Sequence, residues 1–324
     1  MQTVNERKAA VALLSVVSNA TLVTLKVIVG LAIGSVSVVS EAIHSGVDLL
    51  AAVIALFAVR ASGRPADQDH NFGHGKVENL SGTVEAVLIF GAAGWIVYEA
   101  SKRLIHPAPL ESAGWGVGVM LVSAAANTFV ARMLFKVGKE TDSMALRADA
   151  WHLATDVYTS AGVMVGLGLI WLGQIFLPGA DLKWIDPVAA IGVALLIVKA
   201  AYDLTVQSAR DLFDVSLPAQ EENLIREHIK SFTPTVRGYH RLRTRKSGAE
   251  RFVEFHMLVD AAMSVGESHR ITDIIENAIK EHYPGTSVTI HIEPCVAAPE
   301  KECPSDCSSD CLLAQSERKA IGAS

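Results

Sequence analysis

Six long apolar runs decide what this 324-residue chain can fold into. They lie near residues 9–31, 38–59, 80–100, 114–135, 143–171 and 185–206. Each supplies the ~20 residues that a helix needs to cross roughly 30 Å of hydrocarbon. Backbone groups in lipid must bond within their own segment, so runs of this length predict spanning helices. Charged residues make up 19% of the chain and concentrate in its last third. Residues 1–212 therefore read as a six-helix, all-α transmembrane domain, 213–296 as a soluble domain and 297–324 as a tail. The polar stretch Met1–Lys8 leads straight into the first run with no small-residue cleavage site, which predicts a first span and not a removed signal peptide.

Lysine and arginine in the short loops set the orientation. One side holds Arg7, Lys8, Arg60, Arg64, Lys76, Arg132, Lys136, Lys139 and Arg147; the other holds Lys102, Arg103 and Lys183. The richer side is cytoplasmic, so both termini and the polar third lie there. The net charge of −6 gives no case for a nucleic-acid partner.

Two of the apolar runs carry the same polar pattern. One reads Glu41-Ala-Ile-His44-Ser-Gly-Val-Asp48 and the other Asp149-Ala-Trp-His152-Leu-Ala-Thr-Asp156. A spacing of four residues stacks each histidine and aspartate on one helix face. Ionisable side chains inside a membrane are costly and mark function by default. Two nitrogens and two carboxylate oxygens, from His44, Asp48, His152 and Asp156, make the donor set of a tetrahedral zinc site if the second and fifth helices pack together. Gly46, beside His44, suits either close helix approach or ordinary packing.

The loop after the second run reads Arg64-Pro-Ala-Asp67-Gln-Asp69-His70-Asn-Phe-Gly-His74-Gly-Lys76. Asp67, His70 and His74 can converge on a metal there, or simply form a polar loop. Beyond Leu217 the pattern becomes αββαβ: a helix over 218–232, strands over 236–245 and 251–260, a helix over 264–283 and a strand over 287–292. This is a two-layer α+β domain of about 80 residues. His240, His256, His269, His291 and Glu293 recur in it, and His291 and Glu293 share one strand face. All 4 cysteines fall at the end of the chain. Cys303, Cys307 and Cys311 are evenly spaced soft donors, but the stretch has no apolar stripe and reads as disordered.

These residues together resemble the cation diffusion facilitator family, in its bacterial zinc-transporting branch. Four motifs carry the resemblance, in order, over nearly the whole chain. They are the paired motif on the second and fifth runs, the Pro65–Lys76 loop, the Leu242-Arg-Thr-Arg-Lys-Ser-Gly248 hairpin and His291-Ile-Glu293-Pro-Cys295. The resemblance implies a homodimeric exporter in a bacterial inner membrane, moving Zn2+ outward against inward protons, with a ferredoxin-like, metallochaperone-like cytoplasmic domain. It implies a transport site of His44, Asp48, His152 and Asp156, a loop site of Asp67, His70 and His74, and a cytoplasmic site of His240, His256, His291 and Glu293 with His269 nearby. It also implies that Lys76 pairs with an acid below the sixth helix, Asp214 first and Asp211 second, to hold the dimer. His44 stands where many bacterial zinc members carry aspartate, and Glu293 replaces the usual aspartate.

Two other classes compete. A membrane metallohydrolase would need an activating glutamate in a motif such as His-Glu-x-x-His, which the chain lacks. A passive channel or a non-transporting membrane metal sensor is the second, and within the same family an exporter of Fe2+, Cd2+, Co2+ or Ni2+ would use the same donors.

Overall fold

A computed structural model describes residues 3–33, 36–105, 115–176 and 184–295. The tail thiols Cys303, Cys307 and Cys311 lie outside them. The chain divides into two units, Met1–Leu212 and Phe213–Ser324.

All six apolar runs fold as helices: α1 (Val4–Ile33), α2 (Val36–Ser62), α3 (Lys76–Ile105), α4 (Trp115–Glu140), α5 (Met144–Phe176) and α6 (Ile185–Leu212). Each outruns its apolar segment, because a helix can continue past the hydrocarbon with charged residues in its end turns. Among the described residues, Val4–Ala32, His44–Ser62, Lys76–Ile105 and Pro187–Leu212 are long and apolar enough to cross a membrane. α4 and α5 add helices of 26 and 33 residues. Val17, Ile28, Phe57, Trp95, Leu195 and Leu196 stand exposed on the outside of this unit, a surface suited to lipid tails and not to water.

Helix α5 is the hub, touching α2, α3, α4 and α6. Small residues let the backbones close: Ala51, Ala52, Ala55 and Ala58 of α2 and Ala145, Ala148 and Ala150 of α5 are all fully buried or nearly so. The tightest approaches fall at Gly82 and Gly162. A methyl group there would come within 2.6 Å of Ser208 and Val193, both on α6. Gly46 is different. A methyl group on it would meet nothing within 4 Å, so it is not a close-approach point.

A polar hub ties the ends of four helices together. Lys8 Nζ lies 2.7 Å from Glu78 Oε1, and both side chains are buried. Ser62 donates to the same oxygen at 2.7 Å, and Ser143 donates to Glu78 Oε2. Both oxygens of this buried carboxylate are thereby satisfied, which is what makes its burial tolerable.

The second unit follows the expected αββαβ order: α7 (Ala219–Lys230), β1 (Gly238–Ser247), β2 (Glu250–Asp260), α8 (Val265–His282) and β3 (Thr286–Cys295). The sheet order is β1-β2-β3, with β1 antiparallel and β3 parallel to β2. Gly248 supplies the positive φ (60°) of the β1–β2 hairpin. The Ser264 hydroxyl caps α8 by accepting from the Glu267 N–H at 3.2 Å. Strand alternation sends Val253, Phe255, Met257 and Val259 to one face. There they pack on Ile225 and Ile229 of α7 and Ile271, Ile275 and Ile279 of α8. Glu254 and His256 are left for the opposite face.

Glu78→Ala strands the Lys8 ammonium in the bundle without its counter-charge. Breaking a buried pair from one side costs about 3–5 kcal/mol. Thermal unfolding of the detergent-solubilised chain should show a large fall in Tm for Glu78→Ala and a much smaller one for the double variant Lys8→Met/Glu78→Gln.

Candidate metal centres

Helices α2 and α5 run antiparallel at their contact, so their matching motifs meet crosswise. His152 Nε2 lies 3.1 Å from Asp48 Oδ1, and His44 Nε2 lies 3.6 Å from Asp156 Oδ1. Each histidine faces the aspartate of the other helix. Donor atoms of His44, Asp48 and Asp156 all fall within 4.8 Å of one another, close enough to share one ion. The two pairs differ in access. The Asp48 and His152 side chains are 4% and 7% exposed, against 23% for Asp156 and 52% for His44. The cluster is therefore less covered by the described residues at its His44–Asp156 end than at its Asp48–His152 end. Asn127 of α4 approaches Asp156 Oδ2 at 3.5 Å, a neighbour that the sequence did not mark.

The loop donors also converge. Asp67 Oδ1 accepts the backbone N–H groups of Asp69 (3.0 Å) and His70 (2.7 Å), a turn typical of aspartate. Its Oδ2 lies 3.4 Å from His74 Nε2. Gly73, at φ 75°, turns the chain back, and the His70 and His74 rings lie with centroids 4.3 Å apart and planes tilted by 38°. The His70 backbone N–H holds the Asp67 carboxyl below the usual carboxylate range.

In the sheet, register does the assembling. His240 sits opposite His256 on β1 and β2, and His256 opposite His291 on β2 and β3. Three imidazoles thus form a row across the sheet, with neighbouring centroids 5.1 and 4.7 Å apart. Glu293 lies against the row: its Oε1 is 2.7 Å from His256 Nδ1 and 3.6 Å from His291 Nε2, and its Oε2 is 3.3 Å from His240 Nε2. The longer glutamate reaches all three rings. A bulge between His240 and Arg243, with Arg241 at φ 53°, sets this offset. His269 is not brought to the row within this chain. It lies on α8, which covers the other face of the sheet, and faces Asp273 at 3.8 Å in its own helix.

Lys76 donates to the Leu212 carbonyl at 3.4 Å. Asp211 accepts from Asn79 at 2.9 Å, and Asp214 faces Arg245 at 3.6 Å. Two buried carboxylates join the transmembrane unit without a role assigned from the sequence. Glu85 of α3 accepts from Ser81 at 3.0 Å through one oxygen. Its other oxygen and both oxygens of Asp149 have no hydrogen-bond partner among the described residues. The rule that flagged His44 and Asp156, an ionisable group inside an apolar run, marks both of these too.

Comparison with known proteins identifies the family of both units. A family profile described as the cation efflux transmembrane domain matches residues 12–213, and one described as the cytoplasmic domain of cation efflux proteins matches 217–295. An uncharacterized transporter of Synechocystis sp. is 37% identical over 261 residues, covering 81% of this chain and 82% of its own length. The cation-efflux pump FieF of Pectobacterium atrosepticum is 33% identical over 269 residues, covering 83% and 87%. Two solved structures match about a quarter of the chain. One is the zinc form of CzrB, described as a putative zinc transporter: 37% identity, 24% of this chain, 90% of that one, TM-score 0.22. The other is the metal-bound C-terminal domain of the CzcD transporter from Thermotoga maritima: 28% identity, 25% and 99%, TM-score 0.23.

Glu293 gives a pH test of the sheet cluster. Its hydrogen bond with His256, and then the nearby histidines, hold its carboxyl below the usual range. A carboxyl lowered by folding stabilises the fold above its unfolded pKa of about 4.3 and loses that contribution as pH falls through the folded value. Metal-free protein should therefore lose protection of its β2 amides more steeply between about pH 5 and 3 than Glu293→Gln does, as read by hydrogen exchange at matched pH.

Proposed function

This chain belongs to the cation diffusion facilitator family of cation-efflux transporters, and from that premise we propose that it exports Zn2+ from the cytoplasm in exchange for protons. The crosswise meeting of His44 with Asp156 and Asp48 with His152 carries the reading. Two imidazole nitrogens and two carboxylate oxygens suit zinc, and disfavour calcium and magnesium, which take all-oxygen shells. A divalent ion also cancels the two aspartate charges inside the bundle.

Proton coupling follows from the same donors. Zinc takes neutral imidazoles and ionised carboxylates, so protons compete with it for every ligand. A histidine with an unperturbed pKa near ~6.5 loads zinc at neutral cytosolic pH and releases it toward a more acidic exterior. With both termini cytoplasmic, the exposed His44–Asp156 end faces outward and the buried Asp48–His152 end faces the cytosol. Loading and release then use opposite ends of the cluster, and transport needs the helices to close one end and open the other.

The remaining assignments rest on that frame. Asp67, His70 and His74 form a second, cytosolic zinc site in the loop, and His240, His256, His291 and Glu293 a third in the sheet. Zinc at the sheet site biases the arrangement of two cytoplasmic domains in a homodimer. Lys76 of one copy pairs with Asp214, or with Asp211, to hold the dimer below the membrane. The membrane is a bacterial inner membrane.

In proteoliposomes, His44→Ala and Asp156→Ala should each reduce zinc transport at least tenfold with the protein still monodisperse and helical. Full transport by both removes the site assignment. Inverted vesicles should take up zinc only when their lumen is acidic. Uptake without a gradient marks a channel, and no uptake of any metal marks a sensor. Competition by Fe2+, Cd2+, Co2+ and Ni2+ in the same assay ranks selectivity. Spin labels on paired cytoplasmic domains should change separation on zinc titration, and an unchanged distance distribution ends the sensing role.

A further inference from the structure

The helical layer of the C-terminal unit holds a histidine pair that none of the three donor clusters uses. His228 lies in the last turn of α7 and His282 ends α8. Their ring centroids are 4.7 Å apart, with the planes at 77°. His228 Nδ1 lies 2.8 Å from the Leu224 carbonyl, and His282 Nδ1 lies 3.2 Å from the Ala278 carbonyl. A carbonyl only accepts, so each Nδ1 carries the proton and each neutral ring keeps its lone pair on Nε2. Neither Nε2 is engaged by another described residue.

We propose that His228 and His282 form a separate two-histidine site for a borderline divalent transition-metal ion, Zn2+ or its neighbours, with water completing the shell. A metal-ligating histidine almost always donates its second ring N–H to a carbonyl or carboxylate, which fixes the tautomer and aims the lone pair. Both rings already have that arrangement, and the two acceptors belong to their own helices. With metal–nitrogen bonds of about 2.0–2.1 Å at a tetrahedral angle, two imidazoles on one ion have centroids about 5 Å apart. The observed 4.7 Å is close to that spacing, so a small ring movement would bring both onto one ion. Helix C-termini carry partial negative charge, which favours a cation at both positions. The site lies on the face of the unit away from the His240–His256–His291 row, since α7 and α8 cover the opposite side of the sheet. The unit then takes metal on both faces, with two protein donors on this one and four on the other. Fewer protein donors make it the weaker and faster-exchanging site.

The test is carbethoxylation of the full-length protein in detergent, with modified histidines located by mass spectrometry across a zinc titration. Zinc should protect His228 and His282 together, with one midpoint. His282→Gln, a change at an exposed side chain, should move the protection of His228 to at least tenfold higher zinc. It should leave the protection of His240 and His256 in place, which also reports that the domain is folded. His228→Gln should do the same to His282. No protection of either residue up to millimolar zinc overturns the proposal. So does protection of His228 that is indifferent to His282→Gln; the rings then make an aromatic contact only. The outcome is independent of whether the transmembrane cluster transports zinc.

Discussion

Hydrocarbon does not tolerate an unpaired carboxylate, and that constraint governs the transmembrane unit. Taking an ion out of water costs several kcal/mol even after relaxation, unless an opposite charge or hydrogen-bond donors meet it. Asp48 and Asp156 are met by the histidine of the opposing helix, at 3.1 and 3.6 Å. The crosswise pattern follows from geometry. Two copies of His-x-x-x-Asp on antiparallel helices place histidine against aspartate at both ends of the contact. Parallel helices would have put aspartate against aspartate. The same imidazoles that shield the carboxylates without a metal are the donors of the proposed transport site, so the cluster would be acceptable in both conditions. This is the property an exchanging site needs.

The other buried charges divide by how completely they are satisfied. Glu78 has both oxygens occupied, by Lys8, Ser62 and Ser143, which belong to different helices or their flanks. Such a fully bonded hub fixes the relative positions of helix ends and gives little reason for the carboxylate to change state. Glu85 and Asp149 are equally buried but keep oxygens without hydrogen-bond partners among the described residues. An unpartnered buried polar atom is the more expensive arrangement. The contrast separates a scaffold carboxylate from two others whose burial the static packing does not explain.

Much of this was legible in the sequence, for reasons that differ by element. The six long helices were, because an apolar run of ~20 residues has few other uses. The His–Asp pairs were, because charge inside such a run is conspicuous. The αββαβ order was, because period-2 and period-3.6 stretches alternate between clear turn residues such as Gly248 and Pro284. Register was not. That His240, His256 and His291 form one row depends on a bulge at Arg241 and on which strands pair, and neither leaves a composition signal. Lys8 was misleading in another way. It counts as a cytoplasmic loop charge in the orientation argument, yet its ammonium is buried against Glu78, 70 residues away in sequence. Gly46 drew notice for its place beside His44, while the glycines that bring helices together, Gly82 and Gly162, sit opposite α6 residues that only the fold identifies.

Exposure varies within the donor clusters as well as between them. Asp67 and His70 are each more than half exposed while His74 is nearly covered, so an ion there would meet its first donors directly from solvent. The sheet row likewise runs from His240 at 14% to His291 at 65%. The inner pair of the transmembrane cluster, Asp48 and His152, is nearly closed. An ion reaching that pair must shed its water among ligands that already hold each other. On the proposed function, loading of that pair is tied to helix movement in a way that loading of an exposed donor is not. A transporter needs that coupling at one site only. A cluster that senses cytosolic metal works better without it, because its occupancy should follow concentration and not conformation.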